Sequence, residues 1–336
     1  MLDDRKAAVL RAVVREYIET AQPVGSTHVA RTTELGVSPA TVRNEMAALE
    51  REGYLTQPHT SAGRVPTDQG YRFFVDQLTG PGALHAAQRQ QVREFFATTH
   101  GELEQMLHDT SSLLSGLTSY AALILGPPSE RATVRSVQVV GLAHQVAMVV
   151  VVLSNGSVEK ATLELDDDLG DERLAAAGSH LTAHLEGKSL AEDTPVPATG
   201  DRRLDGLVDA VLAALGAPAE RDHDHVFVGG ASRMAAAFDA VETVRQVLAI
   251  LEQQYVVVSL LREVIDTDGE QGLSVSIGTE LGLQSLAECS IVVAPYQIEG
   301  EPLGTVGVLG PTRMNYPQAM AAVAVVSQRL GRRLSA

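Results

Sequence analysis

The residues best suited to chemistry lie between positions 38 and 64, and their types suit contact with nucleic acid. Ser38 and Pro39 are typical of the N-cap and first position of a helix. Thr41, Arg43 and Asn44 follow within the first turns of that helix. Hydroxyl, guanidinium and carboxamide groups at a helix start can reach base edges or nearby phosphates in a major groove. We therefore predict DNA contacts from these three residues, with Ser38 as cap and phosphate donor.

A second group of hydrogen-bond donors follows in a segment that has no acidic residue. Between Gly53 and Thr67 there is no Asp or Glu, and short apolar stretches flank a loop, which predicts the two strands of a wing. Small residues, hydroxyls and a guanidinium without a competing carboxylate suit a phosphate-facing loop. The predicted contacts to the DNA backbone or minor groove come from His59, Thr60, Ser61 and Arg64.

Three helices, the hairpin and a fourth helix are needed to position these groups. Apolar residues at four-residue spacing over 9–18 predict a first amphipathic helix, and Ser26 can cap a second one. Val42, Met46 and Leu49 give the third helix an apolar face for the core. Two helices joined by a tight Gly turn form a helix-turn-helix pattern. The alternative is an ordinary solvated helix surface, but the adjacent wing favours DNA.

The net charge of −16 for 336 residues argues against DNA binding when the whole chain is summed, but the charge is unevenly distributed along the chain. Residues 1–78 carry nine Lys/Arg and ten Asp/Glu, a net charge of −1, whereas residues 166–225 carry five and fourteen, a net charge of −9. The N-terminal part is therefore the end expected to face DNA, and the acidic part would be repelled from it.

Several strings resemble a known family. They are SPATVRNEM from Ser38, PHTSAGRVPT from Pro58, Gly70-Tyr71-Arg72, IVVAPY from Ile291 and RMNY from Arg313. In order and spacing the chain resembles the HrcA family of bacterial heat-shock repressors. The resemblance implies an α+β multidomain protein. It would have an N-terminal winged helix-turn-helix and then a GAF-like antiparallel-sheet domain with an inserted dimerisation domain.

The same resemblance implies a negative transcriptional regulator of the stress response. It would bind, as a homodimer, the inverted-repeat operator of chaperonin and related heat-shock genes, and the chaperonin would be the partner that keeps it active. Direct loss of the fold on heating is a rival trigger. A third hypothesis keeps the DNA-binding end but makes the GAF-like domain the receptor of a small effector.

The predicted domain borders place the winged helix at 1–79, a linker of one long helix or two helices at 80–118, the GAF-like domain at 119–165 and 226–336, and the insertion at about 166–225. Within the insertion, apolar residues at helical spacing form a face wide enough for a subunit contact. The alternative is that this helix packs only within its own subunit. The face consists of Leu204, Leu207, Val208, Val211, Leu212 and Leu215.

Other chemistry is less well supported by the sequence. His180 and His184, four residues apart, and the segment His223-Asp224-His225 are the candidates for a metal-binding or hydrolytic site, but they lack the His-Glu-x-x-His pattern. We predict no enzyme activity, no cofactor and no bound metal. The longest apolar run, Val146 to Leu153, is too short for a membrane helix. We therefore expect a cytoplasmic protein with no membrane partner.

Overall fold

The computed structural model describes residues 2–32, 36–59, 63–99, 102–127, 132–154, 158–165, 169–190, 194–216, 226–238, 240–267, 272–298 and 301–335. Two compact units divide the chain. One consists of Met1–Thr99, His108–Leu125 and Val226–Ala336, and the other of His100–Leu107 and Gly126–His225. Within the described ranges, no helix combines the length and apolar character needed to span a membrane.

The first unit begins with an N-terminal head, residues 2–76, made of four helices and a short hairpin. Its elements are α1 (Asp4–Thr20), α2 (Ser26–Thr32), α3 (Pro39–Arg51), β1 (Leu55–Thr56), β2 (Val65–Pro66) and α4 (Asp68–Asp76). The two strands pair antiparallel. This order agrees with the three helices, hairpin and fourth helix that the sequence predicts.

The head has its own apolar core between α1 and α3. Leu10 and Val13 of α1 and Val42 and Leu49 of α3 are completely buried. Each such side chain contributes about 1.5–3 kcal/mol by leaving water. This burial uses one face of α3 and leaves its other face to solvent.

The first unit also contains a five-stranded antiparallel sheet with helices packed on it. The elements are β3 (Ala121–Leu125), β7 (Val226–Gly229), α9 (Ala231–Ala235), α10 (Val241–Glu252), α11 (Gln254–Thr267), β8 (Ser274–Ile277), β9 (Cys289–Ile298), β10 (Glu301–Pro311) and α12 (Tyr316–Leu334), with 3-10 turns at Gly278–Leu281 and Gln284–Leu286. The strand order is β7-β3-β10-β9-β8. Helices α10 and α11 pack on one face, and α12 packs against β9 and β10. The apolar stretches Ile291 to Gln297 and Leu303 to Leu309 predict a hairpin, and β9 and β10 form it.

The segment predicted as a linker forms two helices, α5 (Ala86–Thr98) and α6 (Leu103–Thr118). Helix α5 packs against α12. The Arg333 guanidinium donates to the carbonyl oxygen of Thr99 at 3.0 Å, and the Gln318 side chain donates to that of Leu117 at 2.9 Å. These hydrogen bonds fasten the C-terminal ends of α5 and α6 to α12 within the first unit.

The second unit contains a separate three-stranded antiparallel sheet, in the order β4-β5-β6. Its elements are β4 (Val134–Ala143), β5 (Val146–Leu153), β6 (Val158–Glu164), α7 (Asp171–Leu185) and α8 (Arg202–Gly216). The apolar face of this sheet shares one core with α7 and α8. The predicted insertion spans about 166–225, and the longer segment of this unit, Gly126–His225, also includes β4, β5 and β6. The reason is that β4, β5 and β6 pair with one another and not with the five-stranded sheet.

Candidate nucleic-acid interface

The N-terminus of α3 has the cap that its sequence predicts. The Ser38 hydroxyl accepts a hydrogen bond from the backbone N–H of Thr41 at 3.2 Å, and the two hydroxyl oxygens are 3.0 Å apart. Ser38 is extended, with φ −69° and ψ 153°, and Pro39 begins the helix. The first N–H groups of a helix lack intrahelical partners and carry partial positive charge. This end of α3 is therefore suited to an anion such as a phosphate.

Helix α3 is amphipathic, with one buried face and one exposed face, as a recognition helix requires. Val42, Met46 and Leu49 are buried, while Arg43 and Asn44 are exposed and Thr41 is half-buried. The three predicted contact residues thus share the solvent side of the first two turns. Ser38, Thr41, Arg43 and Asn44 all lie at the N-terminal end of α3.

The hairpin is fastened to the head at its base. Val24 and Arg64 exchange two backbone hydrogen bonds, both 2.9 Å long. Gly63 lies so close to Val24 that a Cβ atom there would be 2.4 Å from the Val24 carbonyl oxygen. Only glycine fits without a backbone shift. His59 is exposed, and Thr60 and Ser61 lie outside the described residues.

Arg64 has a partner that the sequence pattern did not indicate. Its guanidinium binds one carboxylate oxygen of Glu50 on α3, with Nε at 2.9 Å and Nη2 at 2.8 Å. The two side chains are 18% and 34% exposed. Glu50 precedes the acid-free segment, so spacing within that segment could not reveal the pair. In this conformation Arg64 holds the hairpin against α3.

The apolar face predicted for dimerisation lies mostly inside the second unit. Leu207, Val208, Val211 and Leu215 belong to its buried core, and Leu204 and Leu212 pack partly buried against that core. This is the within-subunit packing that the sequence left open as an alternative. A dimer contact through α8 would have to use its remaining surface, so that role stays a prediction.

The histidines considered for metal binding contact backbone carbonyls. Nε2 of His180 is 2.8 Å from the carbonyl oxygen of Pro197, and Nδ1 of His184 is 2.8 Å from that of His180. His223, Asp224 and His225 lie outside the described residues. Across the ranges that the structure describes, no group of three His, Cys, Asp or Glu side chains is arranged for a metal ion.

Comparison with known proteins gives consistent results along the whole chain. The family model described as "HrcA protein C terminal domain" matches residues 104–320. A protein of Pelotomaculum thermopropionicum is 38% identical, covering 98% of this chain and 96% of its own. One of Moorella thermoacetica is 39% identical, covering 99% and 98%. Both are named "Heat-inducible transcription repressor HrcA".

A solved structure shares the fold. The crystal structure of a hypothetical protein, at 2.2 Å resolution, covers 99% of this chain and 98% of its own, with a TM-score of 0.64 and 24% identity. The named relatives are transcription repressors. On the strength of the family model and these full-length relatives, the chain belongs to the HrcA family.

Proposed function

We propose that this protein represses transcription of heat-shock genes by binding an inverted-repeat operator as a homodimer. The N-terminal head is the DNA-binding part, a winged helix in which α3 enters the major groove and the β1–β2 hairpin is the wing. The observation that carries the proposal is the exposed, capped start of α3 in a chain that is related to HrcA repressors over its full length.

Each predicted residue has a role in this proposal. Thr41, Arg43 and Asn44 contact bases or adjacent phosphates, and Ser38 caps the helix and donates to a phosphate. His59, Thr60 and Ser61 contact the backbone or minor groove. Arg64 was expected to contact phosphate, and its pairing with Glu50 supports a role in holding the wing.

We assign the other domains from the two compact units. The five-stranded sheet with its helices is the GAF-like domain, and Gly126–His225 is the inserted dimerisation domain. Two-fold symmetry of the dimer would present two copies of α3 about one duplex turn apart (~34 Å) or a multiple of it. The support for the chaperonin as activating partner is the family resemblance.

A gel-shift titration tests target and partner together. It compares the heat-shock inverted repeat with a scrambled duplex of equal length, each with and without chaperonin. We expect tighter binding to the repeat and a larger active fraction when chaperonin is present. Equal affinity for both duplexes in all conditions would refute the repressor proposal, and an unchanged active fraction would remove the chaperonin from it.

A cavity favours a second candidate function, response to a small effector. It has a volume of about 390 Å³ beside α4, α11 and β8, and its charged lining is Arg72, Asp76, Glu263 and Glu280. This volume lies in the range of about 300–1,000 Å³ that is common for ligand sites, and a lining with one cation and three carboxylates would select a polar effector. Thermal shifts across a metabolite panel test it, and a panel without any shift above noise counts against it.

A further inference from the structure

Helix α4 of the head is bound to the edge of the five-stranded sheet by two charged side chains one turn apart. Nε of Arg72 donates to Glu280 at 2.9 Å, Nη2 donates to the same carboxylate, and Nη2 also donates to the carbonyl oxygen of Val275 at 2.6 Å. Asp68 accepts from the backbone N–H and the hydroxyl of Thr279, both at 3.0 Å. These contacts join residues about 200 positions apart in the sequence.

The receiving surface is built for this approach. The Glu280 carboxylate also accepts from the backbone N–H of Ile277 at 2.8 Å, which orients it toward Arg72. Gly278 has φ +55°, and a Cβ atom there would be 2.3 Å from the Asp68 carboxylate. A bidentate guanidinium–carboxylate pair fixes the relative orientation of the two side chains as well as the distance between them. The contact therefore holds α4 at one angle to the sheet.

Helix α4 is equally bound to the DNA-binding part of the head. The Thr67 hydroxyl, which caps α4, donates to the carbonyl oxygen of Gly53 at 2.6 Å. Tyr54, just before β1, packs edge-on against Phe73 with ring centroids 5.9 Å apart. Any change in the angle of α4 therefore carries the hairpin and α3 with it.

We infer that Asp68 and Arg72 are positioning residues for operator binding: they orient the head so that the two heads of a dimer meet both half-sites at one spacing. This inference rests on the proposed function. Asp68 and Arg72 contact the sheet, and the DNA contacts belong to α3 and the hairpin. We call the contacts of Asp68 with Thr279 and of Arg72 with Glu280 the clamp. Breaking the clamp should leave the affinity of one head for a half-site unchanged and weaken the simultaneous binding of two heads to the full repeat.

The test compares duplexes that contain the full inverted repeat, one half-site, and repeats with altered spacers. The variants are Arg72→Gln, Glu280→Gln and Asp68→Asn. Arg245→Gln is the matched control, because it removes the same charge from an exposed pair with Glu242, in which the side chains are 73% and 65% exposed. We expect affinity for the half-site within twofold of the parent. Affinity for the full repeat should fall about tenfold, with weaker spacer preference, because the effective concentration of the second head drops.

A second measurement does not depend on DNA. Spin labels on Glu19→Cys in α1 and Glu252→Cys in α10 report the angle between head and sheet, and dilution with unlabelled protein restricts the signal to pairs within one chain. The distance distribution should be narrow in the parent and the control and broad in the clamp variants. The charge exchange Arg72→Glu with Glu280→Arg should restore part of the narrow distribution and of the spacer preference.

The outcomes separate this inference from the proposed function. A spin-label distance distribution that is not broadened in the clamp variants overturns the positioning inference. An equal loss of affinity for the half-site and the full repeat also overturns it, because such a loss would mean general damage to the head. If the parent binds scrambled DNA as well as the repeat, the repressor proposal fails. The distance distributions still decide whether the clamp sets the angle.

Discussion

Removal of the Arg64 side chain tests whether this residue contacts phosphate or holds the wing. In the structure its guanidinium faces Glu50, with both donor contacts on one carboxylate oxygen. Because both side chains are partly exposed, solvent screening limits the pair to about 1 kcal/mol. For Arg64→Ala we therefore expect a loss of up to about fivefold in operator affinity, the factor that about 1 kcal/mol represents.

The dependence of affinity on salt distinguishes the two roles. Each phosphate contact contributes about 0.9 to the slope of log affinity against log salt concentration. Between 50 and 200 mM salt, a variant that lacks one phosphate contact would lose about 3.5-fold less operator affinity than the parent loses. If Arg64 holds the wing, the affinities of the parent and of Arg64→Ala should instead decrease by the same factor. Fluorescence anisotropy with a labelled operator at four salt concentrations measures this.

Two further variants complete the comparison. In Glu50→Gln the guanidinium loses its charged partner and becomes available to DNA, so the salt slope should rise by up to about one. Arg245→Ala, in α10 and outside the N-terminal head, controls for the loss of a positive charge. A slope that falls by about 0.9 in Arg64→Ala alone, with melting unchanged, would refute the holding role and support the phosphate contact.

Three other predictions concern the helix start and the core. Asn44→Ala should reduce discrimination between operator and scrambled duplex by about 1–3 kcal/mol without changing the melting temperature, because Asn44 is exposed; unchanged discrimination would remove it from the base contacts. Ser38→Ala should lower the free energy of unfolding of the head by about 1 kcal/mol in urea titration, since it deletes the α3 cap; equal stability would argue against the cap. Burial, with a smaller effect of Glu288, raises the pKa of the Cys289 thiol to about 12, so about one thiol in 10⁴ is ionised at pH 8. Labelling by a thiol reagent should stay slow until heat opens the sheet, and fast labelling of the folded protein would contradict this.

Local patterns predicted much of the head. The order of its helices and hairpin, the cap at Ser38 and the buried face of α3 all follow from residue type and spacing. Such features depend on a few neighbouring residues, so a single sequence is enough to indicate them. The same holds for the β9–β10 hairpin.

Sheet membership was not predictable in this way. Apolar stretches at Val134 to Val140, Val146 to Leu153 and Val158 to Leu165 predict strands, and the structure shows that these strands form their own sheet on α7 and α8. A strand pattern shows which face of a strand is buried but does not identify the strand it pairs with. The segment Gly126–His225 of the second unit therefore contains these strands as well as the predicted insertion at about 166–225.

The amino-acid sequence was enough to predict a DNA-binding end and to indicate the family, because caps, helical faces and an acid-free loop are properties of short segments. Folding determined the partners of the charged groups. Arg64 meets Glu50, and Arg72 meets Glu280 more than 200 residues away. Such pairs form where distant segments pack together, and no local spacing rule specifies that contact. The charge distribution predicts which end faces DNA, and these ion pairs show what holds the hairpin and α4 of that end in place.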